Sequence, residues 1–225
     1  MVSFDLQGAF NAISDRVLDA QLRRKGISDA ARQWVSSFTQ DRWANIGFDD
    51  FTSTTQPLEP AGLPQGSILF ALFNSDLVDQ SANRKGGSSA YNDDYFRWRV
   101  GRTAEQNIRA MQDEEIPRIE NWAQQTGSTF SASKTELIHF WRRKSEHSVG
   151  EVVMCGHTVR PSRIAKLLGV TFDSEMRWKE QVQRVAGKAT AVNIAIGGLR
   201  HLRPKHMREL YQACVVPVVH YASTV

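Results

Sequence analysis

Two adjacent aspartates, Asp93 and Asp94, stand in a stretch whose pattern leaves little choice of backbone. After them Tyr95, Arg97 and Arg99 alternate with Phe96, Trp98 and Val100, so successive side chains belong to opposite faces, as in a strand and not in a helix. Residues 90–100 are therefore expected as a β-hairpin with both carboxylates at its tip. Like charges side by side are costly unless a cation lies between them, and aspartate is poorly suited to strand interiors. A tight turn aiming two acids at one point suits Mg²⁺, which is held by one or two carboxylates and keeps sites open for phosphate oxygens. Asp5, in a short apolar run, is a second carboxylate source. Together the acids could hold two metal ions, one activating an attacking oxygen and the other stabilising a leaving pyrophosphate. The alternative is an ordinary acidic turn, of which Asp49-Asp50, between Phe48 and Phe51, is an example in the same chain.

The rest of the chain mixes both kinds of element. Ser14-Asp15 opens a helical pattern with Val17, Leu18 and Leu22 on one face and Gly26 as its stop. A second helix fits 28–38 with Trp34, Val35 and Phe38 inward, and residues 43–55 are rich enough in β-formers for a hairpin. A helix is expected over 67–78 and a basic, glycine-containing turn over 84–87. A long helix fits 103–125, with Thr103 as N-cap, Gly127 as stop and Pro117 predicting a kink or a break. Strands fit 136–141, 152–159 and 166–172, after which the chain turns helical, interrupted at Gly197-Gly198 and restarting after Pro204. Helices interspersed with hairpins indicate an α+β fold.

Composition bears on partners. The 28 lysines and arginines against 24 acids leave a net charge of +4, and the whole excess lies in residues 173–225, which hold eight basic and four acidic side chains. A basic C-terminal piece on a neutral body suits phosphate contacts, and equally a solvated helix face. Cys155 and Cys214 are too few and too far apart for a disulfide framework or a four-ligand zinc site. There is no apolar run of about 18 residues and no secretory leader, so an intracellular chain with no membrane partner is expected. Gly62-Leu63-Pro64-Gln65-Gly66-Ser67 runs into a helix, and its glycines permit close backbone approach to a ligand.

In order, these segments resemble the reverse transcriptase domain of non-LTR (LINE-type) retrotransposons, most like the fungal elements. Ser3-Phe4-Asp5-Leu6-Gln7-Gly8-Ala9-Phe10-Asn11 resembles polymerase motif A, the Gly62–Ser67 run followed by Ile68-Leu69-Phe70 resembles motif B, and Tyr91-Asn92-Asp93-Asp94 resembles the Tyr-x-Asp-Asp box of motif C. Phe130 through Lys134-Thr135-Glu136 to Ile138-His139-Phe140 resembles motif D, and Lys166-Leu167-Leu168-Gly169-Val170 the primer-grip strand of motif E. Leu199-Arg200-His201-Leu202-Arg203 and Pro217-Val218-Val219-His220-Tyr221-Ala222-Ser223 are similar to the helical thumb side.

The resemblance implies an RNA-directed DNA polymerase: a palm over residues 1–172, with an antiparallel sheet backed by helices, and a small helical thumb over 173–225. It implies that Asp5, Asp93 and Asp94, with the carbonyl of Leu6, bind two Mg²⁺ ions, and that a primer 3′-hydroxyl attacks the α-phosphorus of a dNTP on an RNA template annealed to a DNA primer. Phe10 would exclude a 2′-hydroxyl, Gln65 and Gly66 would line the nascent base pair, and Lys134 would protonate the leaving pyrophosphate, its plain alternative being a surface lysine beside Glu136. Gly169, Arg200, Arg203 and Lys205 would contact nucleic acid, and the site of action would be nuclear. About four residues of the family's motif B are missing after Ser67, close to one helical turn, and Asn92 and Asn11 replace the usual residues. Met1 lies four residues before Asp5, so a fragment without fingers, endonuclease or RNase H parts is expected. The alternative function is a catalytically inactive remnant that at most binds nucleic acid, and an unrelated two-metal nuclease ranks behind both.

Overall fold

The computed structural model describes residues 1–58, 62–63, 68–79, 84–141, 148–199 and 201–223. In chain order the elements begin with β1 (Val2–Gln7), α1 (Asp15–Arg24), α2 (Asp29–Thr39), β2 (Trp43–Ala44), β3 (Gly47–Phe48), β4 (Phe51–Thr52), β5 (Gln56–Pro57) and α3 (Ile68–Val78). They continue through β6 (Gly86–Tyr91), β7 (Asp94–Arg99), α4 (Ala104–Ala110), α5 (Ile116–Thr126), β8 (Thr129–Phe130), β9 (Glu136–Ile138), β10 (Val152–Met154) and β11 (His157–Val159). The last are β12 (Pro161–Ser162), β13 (Ile164–Leu167), β14 (Val170–Asp173), α6 (Lys179–Gly197), α7 (Pro204–Leu210) and α8 (Val216–His220). The fold is α+β with antiparallel sheets, and it divides into two compact units, one of Met1–Leu137 with Ser148–Pro161 and one of Ile138–His147 with Ser162–Val225. The change of charge at residue 173 falls inside the second unit. Among the described residues no helix is long and apolar enough to cross a membrane.

The first unit is organised by β1. Its strand neighbours run β9-β1-β7-β6, with β8 also paired to β1. Val2, Phe4 and Leu6 alternate into the core, where Phe4 stacks on Tyr95 at 5.6 Å between ring centroids. Rings follow one another from Phe10 to Phe70 (4.5 Å), Phe73 (6.4 Å) and Trp122 (5.9 Å), then through Phe130 (6.1 Å) back to Phe4 (6.0 Å). Each such pair contributes about 0.5–1.5 kcal/mol beyond its buried area. The β6–β7 hairpin expected from the alternation is present, pairing Tyr91 with Asp94 at its tip and Gly86 with Arg99 at its open end. Gly86 has φ +153°, and a Cβ there would run into the Trp98 carbonyl.

The structure also decides the sense of the alternation in β7. The arginine face is turned inward: Arg97 and Glu115 are both buried, and Arg97 Nη2 donates to Glu115 Oε1 at 2.6 Å. Arg99 Nη2 donates to the same oxygen at 2.6 Å, and Arg118 donates to the Tyr95 hydroxyl at 2.9 Å and the Leu77 carbonyl at 3.2 Å. Just before Pro117 the long helix expected over 103–125 is interrupted as a regular α-helix. Between α4 and α5 lies a π-helical turn, Met111–Glu115, whose i→i−5 bond from Ile116 N–H to Met111 O gives the room that the proline ring and its missing N–H require. Pro217 follows a second π turn, Tyr211–Val215, with the same bond from Val216 to Tyr211.

Three other segments fold more tightly than the sequence suggests. The single strands expected over 152–159 and 166–172 are instead hairpins, β10–β11 and β13–β14, the second spanning 164–173. The 43–57 segment is two nested ribbons, β2–β5 and β3–β4, with Asp49-Asp50 at the inner tip. In α2 it is Val35 and Thr39 that are buried, while Trp34 and Phe38 are 70% and 51% exposed and stack on each other. Thr103 caps α4 by accepting from Gln106 N–H at 3.2 Å, and Gly127 ends α5 with φ +69°.

In the second unit the Asp173 carboxylate accepts backbone N–H groups from Glu175, Arg177 and Trp178 at 2.7–3.0 Å. Burial opposes its charge, but these bonds hold the carboxyl below the usual range. Gln181 of α6 accepts from Thr171 N–H at 2.8 Å, which ties the long helix to β14.

Glu115 makes a measurable prediction. Burial penalises its charge, yet the bond from Arg97 and the charges of Arg97, Arg99 and Arg118 keep it below the ordinary glutamate range. A carboxylate of lowered folded-state pKa adds stability that is full above its unfolded-state value and is lost as pH falls through the folded one. Glu115→Ala strands the buried Arg97 guanidinium and is expected to lower unfolding free energy by about 3–5 kcal/mol at pH 7. Urea unfolding should show that difference shrinking as pH is lowered through and below the ordinary glutamate range.

Candidate functional site

The Asp93-Asp94 hairpin is brought to β1 by strand register. Val2, Ser3, Phe4 and Asp5 pair with Arg97, Phe96, Tyr95 and Asp94. Residues directly opposite in an antiparallel pair share a face, so Asp5 and Asp94 lie together on the face that Phe4 and Tyr95 do not occupy. Leu6 N–H donates to the Asp93 carbonyl at 3.3 Å, which closes the ladder at the turn. Asn92 has φ +53°, a left-handed conformation that asparagine tolerates better than most residues. Asn74 of α3, buried within a helix of otherwise largely apolar sequence, donates its side-chain N–H to the Asn92 carbonyl at 3.3 Å and holds the tip from behind.

Residues 5–11, Asp93 and Lys134 line one open depression of about 280 Å³. Lys134 reaches it through a short relay of backbone bonds. β8 pairs with β1, Leu6 opposite Phe130, and Ser131 N–H then donates to the Asp5 carbonyl at 2.9 Å. One 3-10 turn, Ala132–Lys134, follows and sets Lys134 Nζ 3.1 Å from Asp5 Oδ2. The Lys134 side chain is 67% exposed and that of Asp5 24%. Phe10 lines the same depression and rests on Phe70, which anchors that wall to the core.

Gly62 supports the loop beneath. It has φ +89°, its N–H donates to the Ile13 carbonyl at 2.8 Å, and Leu63 N–H donates to the Phe10 carbonyl at 2.6 Å. A Cβ on Gly62 would lie 3.1 Å from Asn11 Cα and 3.1 Å from the Phe10 carbonyl oxygen. The glycine that begins the motif B-like run is thus packed against the end of the motif A-like run.

Asp5, Leu6, Phe10, Asp93 and Lys134 meet at this depression, and Asp94 faces Asp5 across the ladder. Gln65, Gly66 and Arg200 lie outside the described residues. Gly169, Arg203 and Lys205 belong to the second unit. There Leu168 and Gly169 form the β13–β14 turn with φ +46° and +79°, the Leu168 carbonyl accepts from the Tyr221 hydroxyl, and the Gly169 carbonyl accepts from Arg184. Arg203 and Lys205 are exposed at the start of α7. Sequence reading missed Asn74, whose signal was a lone amide in an apolar helical run.

The corner is chemically suited to a hard cation, because two carboxylates with backbone carbonyls nearby are the donors that magnesium takes. Among the described residues no group of three or more His, Cys, Asp or Glu side chains is gathered closely enough to hold a metal ion. A scan against protein-family models finds no match to this chain, and a search of curated proteins finds none.

Gly62→Ala tests the support of the site. The positive φ and the backbone contacts cannot both be kept with a side chain present, and the expected loss is about 1–3 kcal/mol of stability. Thermal unfolding of the variant beside the parent measures it.

Proposed function

We propose that this chain is the core of an RNA-directed DNA polymerase of the non-LTR reverse transcriptase type, its first unit corresponding to the palm and the helices of the second to a thumb. The observation that most supports this reading is the meeting of Asp5, Asp93, Phe10 and Lys134, from three separate segments, at one depression, with Asp94 opposite Asp5. These residues come from three of the motif-like runs, Asp5 and Phe10 from the first, Asp93 and Asp94 from the Tyr-x-Asp-Asp box and Lys134 from the motif D-like run, and the runs occur in the order that the resemblance requires.

The donor set fits magnesium. Asp5 and Asp93 would hold it, with Asp94 and the Leu6 carbonyl as the further ligands of a two-ion site. Bound Mg²⁺ would supply charge neutralisation at the phosphates and an acidified primer hydroxyl. The remaining tasks fall to the chain. The Phe10 ring, braced by Phe70, would form the floor under the dNTP sugar and leave no room for a 2′-hydroxyl. Lys134 Nζ, at the rim, would hold the proton that the leaving pyrophosphate takes up. Exposed cations of the second unit, Arg203 and Lys205 among them, would grip the phosphates of the RNA template and DNA primer, with target DNA in the nucleus. A second reading is a remnant that binds nucleic acid without chemistry, for which the exposed Arg203 and Lys205 would suffice.

Purified protein with an RNA template, an annealed DNA primer and dNTPs is expected to extend the primer in Mg²⁺ and not in EDTA, and Asp93→Ala is expected to bring extension to background. Template binding by both proteins should weaken steeply with salt. Salt-sensitive binding that is equal in both, with no extension by either, would favour the remnant.

A further inference from the structure

A lysine beside a carboxylate in open solvent is ordinarily a loose partner, because two long side chains lose freedom in holding one geometry. The backbone that carries Lys134 is, however, tied directly to Asp5. Ser131 N–H is bonded to the Asp5 carbonyl, and Lys134 N–H to the Ser131 carbonyl at 3.2 Å. The four residues from Ser131 to Lys134 thus begin on the backbone of Asp5 and end on its side chain. Around that contact stand two more acids, Asp94 across the ladder and Asp93 on the wall of the depression. Carboxylates so placed repel, and the ammonium group beside Asp5 offsets that repulsion.

We infer that Lys134 is a built-in counter-cation that competes with a divalent metal ion for Asp5. This rests on the reading that Asp5 and Asp93 are metal ligands. Lys134 Nζ stands at Asp5 Oδ2, an oxygen that a metal ion at this corner would need. The ammonium is therefore paired with Asp5 while no divalent ion is bound and released from it when one binds. The consequence is opposite in sign to that of a lysine that merely helps to build the site: removing it strengthens metal binding. It also removes the ammonium paired with Asp5 in the metal-free protein, so the same variant is less stable alone and regains more stability than the parent when the metal is added.

The test is Mn²⁺ binding to the full chain at low ionic strength, followed by the paramagnetic resonance signal of the free ion, for the parent and for Lys134→Met, Lys134→Arg and Asp5→Asn. Lys134→Met should bind about two- to fivefold more tightly than the parent, the range of an exposed ion pair. Lys134→Arg, which keeps the charge, should stay near the parent, and Asp5→Asn should lose the site. Equal or weaker binding by Lys134→Met, with the site still lost in Asp5→Asn, would overturn the competition and leave the metal-ligand reading standing. Parent binding that Asp5→Asn leaves intact, or no binding by any of the proteins, would overturn that reading and the competition with it.

Discussion

β1 is paired along both edges, and the register on those edges governs the rest of the first unit. A slip of one residue against β7 would bring Asp5 to the core and Phe4 out of it, because strand side chains alternate. Loss of the Phe4 side chain from the core alone would cost about 1.5–3 kcal/mol, before the carboxylate is counted. The aromatic packing of Phe4 on Tyr95 and Phe130 therefore does more than fill space. It sets Asp5 opposite Asp94, and, through β8, it delivers Lys134 to the same corner.

β7 carries acids at one end and buried cations further along. Asp94 stands at the open corner, while Arg97 and Arg99 reach Glu115 beneath the sheet. Glu115 is the last residue of the π turn, so the widening that accommodates Pro117 also determines which side chain faces the arginines. Among the described residues the recurrence of that turn before Pro217 points to the proline as the common cause. The price of the arrangement is a core that depends on one carboxylate to balance neighbouring guanidinium groups.

Much of the candidate site was legible because its signals are local. Alternation after Asp94 specified the hairpin, and a turn with two acids can present them only at its tip. The helix ends at Thr103 and Gly127 were legible for the same reason, since a cap is a matter of a few neighbouring residues. Orientation was harder. Trp34 and Phe38 are large and apolar, yet the neighbouring stripe of Val35 and Thr39 is the one buried, on the side of Leu18 and Leu22. The alternation after Asp94 left open which face of the strand is buried, and the partner that makes burial of Arg97 tolerable, Glu115, lies eighteen positions later. Residues 152–159 and 166–172 read as continuous strands because each turn begins on a residue, Cys155 or Leu168, whose type does not signal the positive φ it takes before the glycine.

By itself the sequence determined the α+β composition, the hairpin with its acidic tip, the basic excess after residue 172 and the order of the motif-like runs, all properties of short windows or of simple counts. Tertiary structure alone decided that Asp5 faces Asp94, that Asn74 holds the turn, that Gly62 supports the Phe10 loop and that Lys134 rests on Asp5. Each of those contacts joins residues far apart along the chain, and their geometry follows from strand register and core packing, which no local window contains.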